Sequence, residues 1–398
     1  MRVFHVMLVF ALSSSIAAAD RVTEWTDDLR ALETQLGSVH ARYKQCGIPP
    51  SLRNELEDLI GRAGSLSDSE MTVEVQRVLA SVGDGHTLLF PFGMKRGSLR
   101  RLPVMLWQFD DGVFVVQSAT PALLGRQVIA IGDLPVDEVM TRLKNYISHD
   151  NEMQLRWAAP FYATLTDFLA AIGATAARDE ATLTLDRGER VTMKSEEIDP
   201  ARLEIKLPTP ANPARYLSHG ASEFWQTKLD DGTLYVQVNA IDDMEKQSLA
   251  DFGRSLKPLL AGVRRLVLDL RRNSGGEARK ANELLKTLIW FDAGGGHIVV
   301  LTSRMTFSAA QTLTTRLDEW TDAVFVGEAT GSRPNHYGNE RPFKLPNSGL
   351  RGTIASGYNQ PITANDDRVA IQPDVTVRTT SADYFAGRDP VLDAALKR

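Results

Sequence analysis

Past residue 230 the chain alternates short apolar runs with longer amphipathic stretches, and this alternation constrains the fold more than any other feature. Leu266-Val267-Leu268-Asp269-Leu270 and Ile298-Val299-Val300-Leu301 are apolar at nearly every position, the pattern of strands covered on both faces. Residues 233–238 and 323–326 read as further strands. Helical patterning fills 242–260, 278–290 and 308–317. Strands alternating with helices in this way predict βαβ units and a largely parallel sheet.

The preceding part has a different character, and 398 residues are enough for two or three domains at roughly 100–200 residues each. Residues 20–81 are helical in pattern: Leu29, Leu32, Leu36 and Val39 share one face, and Leu56, Leu59 and Ile60 repeat the spacing after Pro49-Pro50. Residues 71–79 suggest another helix, capped by Asp68 or Ser69. Before them, Arg2, an apolar run over 6–12 and Ala17-Ala18-Ala19 fit a secretory leader cleaved before Asp20. That predicts a secreted or periplasmic protein; a buried N-terminal helix is the alternative. The apolar run is shorter than the roughly 20 residues that span a bilayer, so no transmembrane span is expected once the leader is removed. Cys46 is the only cysteine, so no internal disulfide is possible, and it reads as an incidental half-buried residue, with a free thiol or an intermolecular link as the alternatives. A net charge of −5 without a run of five basic residues argues against nucleic acid as a partner.

Residues 102–117 hold two strand-like runs around Asp110-Asp111-Gly112, and 181–193 form a second pair around Asp186-Arg187-Gly188. Between them, Leu124-Gly125-Arg126-Gln127-Val128-Ile129-Ala130-Ile131-Gly132-Asp133-Leu134-Pro135-Val136 resembles a stretch of PDZ domains, with a helical insert around 144–178. Such modules capture peptides by strand addition; a small β-module that only packs is the other reading.

Two βα junctions carry the chemistry. After the strand at 266–270, Asn273-Ser274-Gly275-Gly276 allows a tight turn whose N–H groups a ligand can approach. N–H groups at a helix start favour negative charge, which suits an oxyanion hole; an ordinary turn is the bland alternative. After the strand at 298–302, Thr306-Phe307-Ser308-Ala309-Ala310-Gln311 puts a serine at a helix start, as an N-cap or as a nucleophile. On spacing alone Ser303 competes for either role.

Three ordered segments bear on that choice: Asp269-Leu270-Arg271-Arg272-Asn273-Ser274-Gly275-Gly276, Thr306-Phe307-Ser308-Ala309-Ala310-Gln311 and Val326-Gly327-Glu328-Ala329-Thr330-Gly331. Together they resemble the tail-specific, or carboxy-terminal processing, serine peptidases and the related tricorn-type proteases, over roughly 265–375. The resemblance implies an α/β fold with a crotonase-like catalytic core over 199–398, an N-terminal helical domain over 20–95 and a PDZ-like domain with a helical insert over 96–198, following the leader at 1–19. It implies a serine-type endopeptidase acting on protein or peptide substrates through an acyl-enzyme, with Ser308 as nucleophile and the N–H groups of Ala309 and of Gly275 or Gly276 as oxyanion donors; a non-catalytic protein that binds peptides or small molecules on the same fold is the alternative. Gln311 stands where glutamate is usual.

The base departs from the processing-peptidase pattern. Its lysine position is occupied by Arg333, and a guanidinium stays protonated, so it cannot take the serine proton. The tricorn-type branch uses histidine instead. His86, in Asp84-Gly85-His86-Thr87, is the expected base, because imidazole titrates near neutrality; His336, in Asn335-His336-Tyr337, is the rival. His40, His149, His219 and His297 read as structural. By the same resemblance Asp367, shortly before Pro373-Asp374, is expected to orient the histidine. There is no H-E-x-x-H and no cysteine pair, and Gly294-Gly295-Gly296 lacks the Lys-Ser/Thr of a phosphate loop, so no metal and no cofactor are expected.

Overall fold

The computed structural model describes residues 4–90, 92–95, 97–198 and 206–398. Of the expected leader, residues 1–3 lie outside the described residues, and the remainder runs as helix into α1 (Phe4–Val39). The expected boundary at 198–199 borders residues 199–205, also outside them. No helix among the described residues is long and apolar enough to cross a membrane.

Two further helices complete the first layer: α2 (Pro50–Arg62), entered through Pro49-Pro50, and α3 (Asp68–Ala80). The cap of α3 is Ser67, one residue ahead of the expected position. Its side chain accepts from the Glu70 N–H while Glu70 reaches back to it, a reciprocal capping box. Leu29, Leu32, Leu36, Leu56, Leu59, Met71 and Val75 bury one common core, each contributing about 1.5–3 kcal/mol relative to exposure. Cys46, expected to be half-buried, is exposed instead, on the short turn of helix that follows α1.

This core does not close on helices alone. It takes in Leu89 of β1 (Leu88–Leu89) and Phe343, Leu345, Leu350 and Ile354 from a hairpin far along the chain.

The β-module follows. A hairpin of β2 (Val104–Phe109) and β3 (Gly112–Ser118) packs beside a sheet of β4 (Val128–Ile131), β5 (Leu134–Pro135), β6 (Glu180–Leu185) and β7 (Arg190–Lys194), in the order β5-β4-β6-β7. Helices α4 (Val136–Leu143), α5 (Glu152–Tyr162) and α6 (Thr166–Ala171) pack against it around Val128, Ile131, Val139, Leu143, Phe168 and Leu183.

The largest sheet has the order β8 (Phe224–Lys228), β9 (Leu234–Val238), β10 (Arg265–Asp269), β11 (His297–Thr302), β12 (Val324–Gly327) and, at the far edge, residues 375–376. Only β8 and β9 run antiparallel; the remaining neighbours are parallel. Leu266 and Leu268 face one core, beneath α7 (Leu249–Leu259), α8 (Asn282–Ala293) and α9 (Ala309–Trp320). Val267 faces the other, against Val391, Leu392 and Ala395 of the C-terminal helix. Burial on both faces is the physical reason these strands are continuously apolar. The helix expected over 242–260 begins only at Leu249, because Ser248 caps it and Asp242 and Asp243 are engaged with Lys280.

Two long strands, β13 (His336–Lys344) and β14 (Arg351–Asn359), form the hairpin that reaches the helical layer. β1 pairs with β14, Leu88 opposite Thr353.

Candidate active site

The site forms where β10 and β11, neighbours in the parallel sheet, release the chain at their C-terminal ends, the usual ligand-binding edge of such sheets. After β10, the Asn273 side chain fixes the turn: its Nδ2 donates to the Val238 carbonyl at 3.0 Å and its Oδ1 accepts the Gly275 N–H at 3.0 Å. Its carbonyl accepts the Phe307 N–H at 3.1 Å, tying this turn to the next. Gly275 (φ 117°) and Gly276 (φ 131°) both need the positive φ that glycine permits. A Cβ on Gly275 would sit 2.7 Å from the Ser308 Cβ, and one on Gly276 would sit 2.3 Å from the Ile241 carbonyl oxygen.

Ser308 stands at the N-cap of α9 with φ 55° and ψ −118° and makes no capping bond. Its hydroxyl has no hydrogen-bond partner among the described residues, and neither do the N–H groups of Gly276 and Ala309. The Gly275 N–H is already held by Asn273. Ser303, equivalent by spacing, is committed elsewhere: its hydroxyl donates to the Arg271 carbonyl at 2.6 Å and accepts the Met305 N–H at 3.0 Å. Gln311 is fully buried, with Nε2 on Thr315 Oγ1.

The loop that carries His86 is braced by Asp84. The buried Asp84 carboxylate accepts the N–H groups of His86 and Thr87, both at 2.7 Å, and pairs with His40 Nε2 at 3.0 Å. Burial alone would push the Asp84 carboxyl up. The His40 hydrogen bond and charge outweigh that and hold it below its usual range. The His86 ring lies face to face with Phe307, centroids 4.4 Å apart, and stacks on His336 at 5.7 Å. Both His86 ring nitrogens are buried without a hydrogen bond. The nearest carboxylate is Glu340, whose Oε1 lies 3.4 Å from Nε2.

His336 and Glu340 both come from β13, and Thr353 of β14 donates to the His86 carbonyl. The His336 Nδ1 lies 3.1 and 3.2 Å from the carbonyls of Arg333 and Pro334, which assigns its proton to Nδ1 and leaves Nε2 as an acceptor. Burial and the neighbouring His86 hold this imidazole below its ordinary value. Arg333 donates its Nε to the Asp150 carbonyl at 2.9 Å.

A groove of about 510 Å³ runs past these groups, lined by Gly276, Ser308, Ala309, His336 and Glu340. Asp367, expected as the orienting carboxylate, is exposed and makes no hydrogen bond or ion pair with either ring; its neighbour Asp366 is held by Arg368. Glu340 carries no motif in the sequence, and only the β13–β14 register brings it to His86. Asp84 stands in the same short segment as His86, and that adjacency was the available signal for its role.

Residues 232–292 match the model of peptidase family S41. That match covers 61 of the 398 residues. The matched stretch contains β9, β10 and the paired glycines and ends before Ser308. No curated protein matches the sequence. Among solved structures, this chain is similar to mature CPAF complexed with lactacystin, at 14% identity and a TM-score of 0.66, over 94% of this chain and 98% of that one. It is equally similar to mature CPAF, at 14% identity and 0.66, over 94% and 97%. At such identity the likeness speaks for a shared mixed α/β fold.

Proposed function

We propose that this chain is an exported serine endopeptidase of the S41 type that cleaves protein or peptide substrates through an acyl-enzyme on Ser308, with His86 as general base. In this reading the Ser308 hydroxyl attacks the scissile carbonyl and His86 takes its proton. The N–H groups of Gly276 and Ala309 hold the tetrahedral oxyanion. His86 then protonates the leaving amine, and water, deprotonated by the same ring, releases the acyl group. Glu340 compensates the charge that develops on the imidazole.

One observation carries the reading: a serine in a strained conformation at a helix mouth, its hydroxyl free, beside two N–H groups without acceptors. His336 is the second candidate for the base, favoured by its fixed tautomer and its place in the groove wall. His86 is preferred because both its ring nitrogens are unengaged and a carboxylate adjoins it. The large sheet with its helices is read as a crotonase-like core, residues 96–198 as a PDZ-like module, and the leader at 1–19 as the export signal.

A fluorophosphonate probe tests the assignment. The wild-type protein should be labelled, Ser308→Ala should not be, and His86→Ala should slow labelling by about 10²–10⁴-fold. An unlabelled wild type would remove Ser308 as nucleophile, and full labelling in His86→Ala with loss in His336→Ala would transfer the base to His336.

A further inference from the structure

One stretch of the β-module, residues 148–154, touches both loops that deliver histidines to the site. At its centre is Asp150, 7% exposed, whose carboxylate is shared between them. Oδ1 accepts the Gly85 N–H at 2.8 Å, one residue before His86. Oδ2 accepts the Ser332 hydroxyl, four residues before His336. The Asp150 carbonyl accepts Arg333 Nε, and the Arg333 carbonyl in turn faces His336 Nδ1. Neighbouring residues reinforce both arms. Gln154 donates to the Gly85 carbonyl at 3.3 Å and accepts the Asp150 N–H at 2.6 Å. Ser148 donates to the Thr87 carbonyl at 2.7 Å, and Asn151 donates to the Thr330 carbonyl at 3.0 Å. Gly85 has no room for a side chain, since a Cβ would lie 2.3 Å from Gln154 Oε1.

We infer that Asp150 is a positioning residue: one carboxylate from the β-module sets His86 and His336 relative to each other and to Ser308. The inference rests on the Ser308–His86 reading. It adds that the β-module acts on catalysis through this clamp, whatever else that module binds. The residue in the family's lysine position, Arg333, then serves as the clamp's second tie instead of as a base. The clamp supplies hydrogen-bond geometry through two neutral donors, and the Asp150 charge acts on His336 besides, against the effect of burial.

The test is the rate of fluorophosphonate labelling in the full chain. Asp150→Ala, which removes both arms, should slow labelling about 10–100-fold, the scale of a small misplacement of reacting groups. Asp150→Asn keeps one oxygen for Gly85 and can donate to Ser332, and it should stay within about three-fold of wild type. In a His86→Ala background, Asp150→Ala should add little further loss, because both changes disable the same group. Should Asp150→Ala fail to fold, Ser332→Ala opens only one arm and should slow labelling several-fold. The inference is overturned if Asp150→Ala or Ser332→Ala labels at the wild-type rate, or if the loss in Asp150→Ala persists undiminished without His86. An unlabelled wild type would instead strike the Ser308 reading, so the two failures are distinguishable.

Discussion

Ser308 is held in a conformation that L-residues avoid, at a cost of order 1–3 kcal/mol. The Asn273 bridge between the two turns and the helix beyond sustain it. His336 illustrates how burial acts on a single side chain. Its folded pKa lies below the roughly 6.5 of an unfolded histidine. As pH falls, the unfolded chain takes up the proton first, so stability is complete above about pH 6.5 and declines below it. Asp84 is depressed as well, and its contribution is lost only at lower pH, as its carboxyl protonates. The thermal midpoint should therefore drop between pH 7 and pH 5, and less steeply in His336→Gln; identical slopes in the two proteins would contradict a buried neutral ring. Glu340, with its side chain 41% exposed, lies where water screens its charge.

At the scale of the element, the two strand-to-helix junctions hold the reactive backbone. The glycines after β10 are legible as turn formers; the reason each must be glycine is not, because it lies in a neighbouring strand's exit. Gly276 is pressed against Ile241, whose N–H donates to the Gly275 carbonyl while its own carbonyl accepts the Glu277 N–H. Gly276→Ala should destabilise the protein by at least about 1–3 kcal/mol through its positive φ alone, with a further penalty from the 2.3 Å contact. Urea denaturation measures this, and an unchanged midpoint would mean the junction relaxes freely. The helix expected over 242–260 starts later in the structure, at Leu249, for a related reason. Its pattern is amphipathic, but the acidic pair Asp242-Asp243 is drawn out of helix by Lys280, a partner 37 residues or more away in sequence.

Across the whole molecule, separate layers meet at the site. The helical layer buries Phe343 and Ile354 of the hairpin that carries His336 and Glu340, the β-module holds the two histidine loops, and the parallel sheet presents Ser308. The C-terminal end is locked to the sheet by Arg271, which pairs with Asp269 at 2.6 Å and Asp389 at 2.7 Å above the ring of Tyr216. Asp269 is buried and the Asp389 side chain is only 9% exposed, so removing the guanidinium leaves both without their countercharge. Arg271→Ala should lower stability by about 3–5 kcal/mol, read as a shift in the denaturation midpoint; a change below about 1 kcal/mol would show that water reaches the pair.

What the sequence determined by itself was local or periodic. It specified the parallel βα alternation, because doubly covered strands must be apolar throughout, and the helical face of Leu29, Leu32 and Leu36. It also identified the two junction motifs, because tight turns restrict residue type. Tertiary structure alone decided that Ser303 is occupied and Ser308 free, that Glu340 rather than Asp367 adjoins His86, and that Asp150 spans both histidine loops. Those contacts join segments tens to hundreds of residues apart. Their partners follow from strand register and layer packing, which no short stretch of chain encodes.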